Sequence, residues 1–243
     1  IDVGAFQYAA LLPGLCSALV AFLTSRALGV VPLSFELPGA LLGFELRTAL
    51  PVLVLGVLCG AVSILLCETM HYGAVLYQRF LPNVYRRAAV GGTLVLLVTI
   101  LCRTGDYNGA GMDLAVRAIA GEAMVPWAFL LKLLLTTLTL GAGFRGGEIV
   151  PTLCIGATFG SVAGVLLGLD PGFAAALGMI AVFCGAVNSP IASIVLSVEF
   201  FGSESLLYFA VVCAVSYLLS GKYSLYAAQK LVYSKLELLQ DDE

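Results

Sequence analysis

Charge is what this chain has least of. Only 11% of its 243 residues are Asp, Glu, Lys or Arg, against roughly a quarter in soluble domains. The formal net charge of −3 leaves no basic surface for a phosphate backbone, so nucleic acid is excluded as a partner. Histidine is nearly absent too. One residue, His71, rules out a bis-histidine haem site within the chain and offers little to Ser-His acyl chemistry, which disfavours an intramembrane hydrolase. Its environment reads as that of a satisfied core histidine. The seven cysteines form no CxxC pair and no Cys/His cluster; they read as small packing residues in apolar runs rather than disulfides or metal ligands. No metal and no organic cofactor is expected. Ile1-Asp2-Val3 has neither an initiator methionine nor the basic start of a signal peptide, and it reads as a start within a longer protein.

What is abundant is apolar surface and glycine. The chain is 60% hydrophobic with a mean hydropathy of +1.04 and contains 27 glycines, a composition of membrane helices. Apolar segments fall at about 5–28, 48–80, 84–102, 126–141, 149–169, 171–187, 191–201, 206–219 and 225–238. A straight crossing takes about 20 residues. Segment 48–80 must therefore tilt steeply or bend, and 191–201 is too short to cross. Segment 225–238 carries Lys230, Lys235 and Glu237 and reads as amphipathic; 239–243 reads as a short acidic tail. Half-helices of mixed length are what transporters with a mid-membrane site use. The expectation is an all-α, polytopic integral membrane protein with tilted helices and half-helices. Arg79, Arg86 and Arg87, with Lys222, Lys230 and Lys235, place the 81–87 connection and the C-terminus in the cytoplasm, whereas the charge-balanced 29–47 and 103–125 loops fit outside.

The most informative stretch runs Gly141-Ala142-Gly143-Phe144-Arg145-Gly146-Gly147-Glu148-Ile149-Val150-Pro151. Glycines let backbone amides approach a ligand unobstructed. A proline-started helix just beyond them presents orphan N–H groups and a positive dipole end. At membrane depth a broken backbone survives only where it lines a cavity or is buried in protein. The combination predicts a dehydrated anion site.

Gly146-Gly147-Glu148-Ile149-Val150-Pro151 followed by Ile155-Gly156-Ala157-Thr158-Phe159-Gly160 resembles the GxFxP region of the CLC chloride channels and proton-coupled antiporters. Asn188-Ser189-Pro190 with Val198-Glu199 resembles that family's short helix after a proline. Gly221-Lys222-Tyr223-Ser224-Leu225-Tyr226 resembles its Leu-Tyr before the last helix, and Lys132 its basic position ahead of the glycine loop. The motifs occur in family order over nearly the whole chain. Two departures stand out. Ile149 replaces the motif phenylalanine beside an acid, Glu148, and no G-(R/K)-E-G-P stretch is present, so the gating glutamate, the inner-gate serine loop and the internal proton glutamate are absent.

The resemblance implies that residues 1–243 are the C-terminal portion of a CLC-type transmembrane domain, its second inverted repeat. It implies selective transport of chloride or a similar small anion, fluoride included, by channel or proton-coupled antiport. Gly147, Glu148, Ile149 and Tyr226 are implied as anion-binding, through the amides of Glu148 and Ile149 and the Tyr226 hydroxyl. Gly146, Pro151, Lys132 and Arg145 stand as pathway or structural support. A homodimer using segments 5–28, 191–201 and 206–219 is implied as well. Readings from other classes stay open: a membrane assembly subunit without an anion site, or an unrelated transporter of organic anions. The residues also allow Tyr226 as an interfacial tyrosine, Lys132 as a snorkelling or carbonyl-paired cation, Arg145 as a loop anchor on a carboxylate, and Glu199 as a local pair or cap.

Overall fold

The computed structural model describes residues 8–30, 34, 35, 37 and 45–226, with side chains from residue 12. Segment 225–238 and the acidic tail thus lie outside the described residues apart from Leu225 and Tyr226. The described residues form helices and no strand: α1 (Tyr8–Ala27), α2 (Leu46–Phe80), α3 (Val84–Cys102), α4 (Met112–Ile119), α5 (Ala128–Gly141), α6 (Ile149–Leu167), α7 (Pro171–Val187), α8 (Pro190–Phe201) and α9 (Leu206–Leu219). The all-α architecture of mixed helix lengths follows the apolar pattern closely. By length and composition α2, α3 and α6 are long and apolar enough to cross a membrane. The short helices α5, α8 and α9 are not.

One element differs from expectation. The 103–125 loop contains a helix, α4, whose Leu114, Ala115, Ala118 and Ile119 are buried. Its apolar face is one turn wide and flanked by charge, too brief to register as an apolar segment. Segment 48–80 is one continuous helix of 35 residues, about 52 Å long at 1.5 Å per residue. Pro51, its sixth residue, does not break it, although the ring removes the amide that would bond the Arg47 carbonyl.

The core is built on α7, where every residue from Gly172 to Ala186 is buried. α2, α6 and α9 enclose it, with α4 and α8 against its ends. Its start is well specified: Asp170 accepts from the Phe173 amide at 2.9 Å, and Pro171 follows at the first helical position, where its fixed φ suits a helix. Small residues bring α6 and α7 almost to backbone contact. A Cβ on Gly160 would overlap the Ala174 carbonyl and lie 2.9 Å from Gly178 Cα. Lipid offers helices no hydrophobic reason to associate, so such close packing carries the pairing. Ser216 Oγ adds a bond across to the Ala181 carbonyl at 2.7 Å, joining α9 to α7. By contrast α3 buries only Gly91.

Candidate anion-binding site

The loop between α5 and α6 is shaped before it reaches the site. α5 ends as the Ala142 amide bonds Leu138 O and the Gly143 amide bonds Leu140 O. Gly143 then turns out at φ +92°, a left-handed conformation that side chains resist. Arg87, at the start of α3, donates from Nε to the Ala142 carbonyl at 3.2 Å. Its guanidinium is so close to Gly143 that a Cβ there would sit 3.1 Å from Nη2. A cation at the negative end of α5 is electrostatically well placed.

Past the glycines, α6 starts at Ile149 with Glu148 as its N-cap residue, and no side chain caps it. Pro151 is thus the third helical residue rather than the first. The correction is small, because any first-turn amide is an orphan and a proline there forfeits nothing. The first bond into the helix is from the Thr152 amide to Glu148 O at 3.1 Å. The amides of Glu148, Ile149 and Val150 find no acceptor among the described residues. α3 and α7 differ, since Asn83 and Asp170 take up their first amides.

What separates α6 from the other uncapped helix starts is the space in front of it. Gly146, Gly147, Glu148, Ile149 and Val150 line an open cleft of about 810 Å³, whose other wall is Leu225 and Tyr226. The residues singled out as anion ligands, Gly147, Glu148, Ile149 and Tyr226, therefore share one cleft, although 77 positions separate Ile149 from Tyr226 in the numbering (226 − 149). Ile149 and Tyr226 are both exposed, at 45% and 41%. Tyr226 is reached through a chain of bonds: the Leu225 amide donates to Ala186 O at 3.0 Å, and the Tyr226 amide to Ser224 Oγ at 3.1 Å.

A second cavity, of about 430 Å³, backs onto the same loop. Gly146, Gly147, Val150 and Pro151 line one side, and Lys132, Thr136, Asn108 and Tyr107 the other. Lys132 is 1% exposed, and its ammonium donates to the carbonyls of Tyr107 at 3.0 Å and Gly109 at 2.7 Å. Both readings of this lysine thus meet in one side chain: carbonyls hold it, and it faces the cavity behind the glycine loop. Burial above all pushes the Tyr107 phenol above its ordinary pKa.

Three further expectations change. His71 is exposed, not a core histidine. It lines a cavity of about 210 Å³ with Glu148 and Ser224, because the last turns of α2 run past the edge of the helical core. Arg145 is exposed and makes no ion pair among the described residues, where Arg117 makes the ones observed, to Asp106 and Glu122. Glu199 is exposed and neither pairs nor caps within them, since it faces outward on α8. Five cysteines, Cys59, Cys67, Cys154, Cys184 and Cys213, are buried packing residues as read, whereas Cys16 is exposed. Two residues escaped the sequence reading. Arg87 registered only as an orienting charge, and Asn188 only as part of a motif.

An all-helical apolar chain, with short helices framing a cleft at an uncapped helix start, defines a polytopic membrane protein of half-helix design. The sequence model described as "voltage gated chloride channel" matches residues 3–221, and the chain belongs to that family, the CLC family of integral membrane proteins. It is 33% identical over 241 residues, 97% of its own length, to a chloride/fluoride channel protein of Pseudomonas syringae pv. tomato, of which it covers 53%. Over 173 residues it is 29% identical to the H(+)/Cl(−) exchange transporter ClcA of Yersinia pestis, covering 36% of that protein. The crystal structure of a CLC-type fluoride/proton antiporter superposes with a TM-score of 0.88 at 35% identity, over 94% of this chain and 57% of the other. The chain thus spans about half the length of the Pseudomonas relative and of the antiporter structure.

Proposed function

We propose that this chain is the C-terminal portion of a CLC-type transmembrane domain, its second inverted repeat, and that it supplies one wall of a small-anion pathway. The observation that carries the reading is the shared cleft: the orphan amides of α6 on one side and Tyr226 on the other. A halide is monovalent, and partial charges from the Glu148 and Ile149 amides and a phenolic hydroxyl hold it without trapping it. Gly146 and Gly147 leave the approach free of side chains. Pro151 restricts the first turn, and Lys132 makes the cavity behind the loop electropositive. The Glu148 carboxylate must turn away from the anion in this reading, because like charge there repels the ligand.

Chloride is the transported ligand in this reading. Fluoride is favoured as the alternative by one specific observation, since the two relatives at 33% and 35% identity both carry fluoride in their descriptions. The outer apolar faces of α1, α8 and α9, with Leu19, Ile191, Val195 and Leu207 exposed, suit a homodimer contact. The arginines at the α2–α3 connection favour a cytoplasmic C-terminus.

Calorimetric titration of the intact protein with chloride and with fluoride tests the site. Tyr226→Phe removes one donor to a charged ligand, a loss of roughly 1.5–3 kcal/mol, or about tenfold to a hundredfold weaker binding. Tyr223→Phe changes little, and Glu148→Gln stays near wild type. Wild-type affinity in Tyr226→Phe removes Tyr226 from the site. No binding of either halide to the wild type favours an assembly subunit or an organic-anion transporter.

A further inference from the structure

Asn188 ends α7 in a left-handed conformation, φ 57° and ψ 39°, and is 1% exposed. A helix C-terminus often ends this way, usually with glycine and sometimes with asparagine. The backbone alone therefore explains a small residue here. It does not explain the side chain, which is used at both ends. Nδ2 donates to the Tyr223 carbonyl at 2.9 Å, and Oδ1 lies 3.3 Å from Ser220 Oγ, whose one hydrogen is shared with the Tyr217 carbonyl at 2.9 Å. Both partners lie on the segment that leaves α9 and arrives at Tyr226. Two residues before Asn188, the Ala186 carbonyl accepts from the Leu225 amide at 3.0 Å.

Two bonds, Asn188 Nδ2 to Tyr223 O and the Leu225 amide to Ala186 O, thus fasten the 220–225 segment onto the end of α7, the most enclosed helix of the fold, with the longer, shared Ser220 contact beside them. Ser220 is fully buried, while Tyr226 opens into the cleft. Amide hydrogen bonds in such a setting carry more weight than on a surface, because an unmade bond leaves a buried polar group unsatisfied. Among the described residues, past Leu225 the Tyr226 backbone is held by its own amide bond to Ser224 Oγ. The position of the tyrosine is therefore set upstream.

We infer that Asn188 is a positioning residue for Tyr226: its amide side chain holds the 220–225 segment so that the phenol stands across the cleft from the start of α6. This rests on the proposed role of Tyr226 as an anion ligand. Ordering the ligand before the anion arrives removes that cost from binding. Asn188 itself need not touch the anion.

Asn188→Gly separates the two things asparagine does. Glycine accepts the left-handed backbone at least as well, so the helix end survives while both side-chain bonds are lost. In the intact protein, titrated with chloride and separately with fluoride, Asn188→Gly should bind whichever halide the wild type binds roughly threefold to tenfold more weakly. In a Tyr226→Phe background the same change should cost nothing further, because the hydroxyl it positions is gone. A merely structural role predicts equal losses in both backgrounds. If Asn188→Gly does not fold, Asn188→Asp carries the same comparison: it keeps the shape and the Ser220 acceptor and cannot donate to Tyr223 O. Weakened binding in Tyr226→Phe with wild-type affinity in the Asn188 variant overturns the positioning alone. Equal losses in both backgrounds overturn it too. Wild-type affinity in Tyr226→Phe overturns the ligand assignment, and this inference with it.

Discussion

Replacing Gly160 by alanine adds one methyl group at the point where α6 and α7 come closest. Two effects of opposite sign follow. Alanine is the better helix former, by about 0.5–1 kcal/mol. Against that, the new Cβ overlaps the Ala174 carbonyl and lies 2.9 Å from Gly178 Cα, where carbon atoms rest at about 3.5–4.0 Å. The helices must part by roughly 0.6–1.1 Å, the difference between those figures. Both obstructing atoms are backbone, so no rotamer change relieves them. Their helix is enclosed on every side and has nowhere to retreat. Overpacking costs about 1–3 kcal/mol; with backbone as the obstruction the cost is in the upper half, about 2–3 kcal/mol, so after the propensity gain the net loss is about 1–2.5 kcal/mol. At about 2–4 °C per kcal/mol for a chain of this size, the thermal unfolding midpoint in detergent should fall by roughly 2–10 °C. Gly14→Ala on α1 is the matched control. Nothing lies within 4 Å of a Cβ there, so its midpoint should stay or rise. Because α6 carries the proposed ligand amides, halide affinity should also fall in Gly160→Ala and not in Gly14→Ala. A Gly160→Ala midpoint equal to or above that of the wild type would refute the close approach of the two helices.

Arg87→Met removes the donor to Ala142 O, so the glycine loop should loosen. Deuterium exchange of a peptide covering 143–148 should rise several-fold, on the order of the factor that about 1 kcal/mol represents; unchanged exchange would show that Arg87 does not brace the loop. Lys132→Met leaves the Tyr107 and Gly109 carbonyls without their donor. At about 1–3 kcal/mol for each buried group left unsatisfied, its unfolding midpoint should drop further than that of Gly160→Ala. Lys132→Gln, which can still donate, should recover part of the loss, and equal midpoints for the two Lys132 variants would refute the carbonyl clamp.

Helices whose apolar run is their own signature were readable almost to the residue: α3 at 84–102 and α7 at 171–187 coincide with their segments. α4 was not, because eight residues bearing Asp113 and Arg117 give no run to find, and its burial is decided by α6 and α7. The glycine loop of the proposed site was legible from its glycines and the proline just beyond them, whereas the uncapped helix start came from the structure. Tyr226 came from resemblance; on chemistry alone it was one of ten tyrosines. Arg87 and Asn188 were unreadable for a shared reason. Each acts on a backbone carbonyl, 55 and 35 positions away, and a carbonyl leaves no trace in residue identity. The 156, 160, 164 spacing of glycines on α6 was a signal in plain view, since it places three small residues on one helical face.

Whatever surrounds the chain, bilayer or further protein, meets α7 only through other helices. Hydrophobic mismatch therefore acts on the fold unevenly. Thinning or thickening a bilayer changes the tilt that long, outward-facing helices adopt, at fractions of a kcal/mol per Å. In this chain that burden falls on α2 and on α3, which the rest of the fold leaves almost uncovered. α7 has no face of its own to mismatch. α6, in near-backbone contact with it at Gly156 and Gly160, and the segment ending at Tyr226, bonded to its last turn, ride on a unit insulated from lipid thickness. Membranes of different depth would then retune the periphery while leaving the cleft its dimensions.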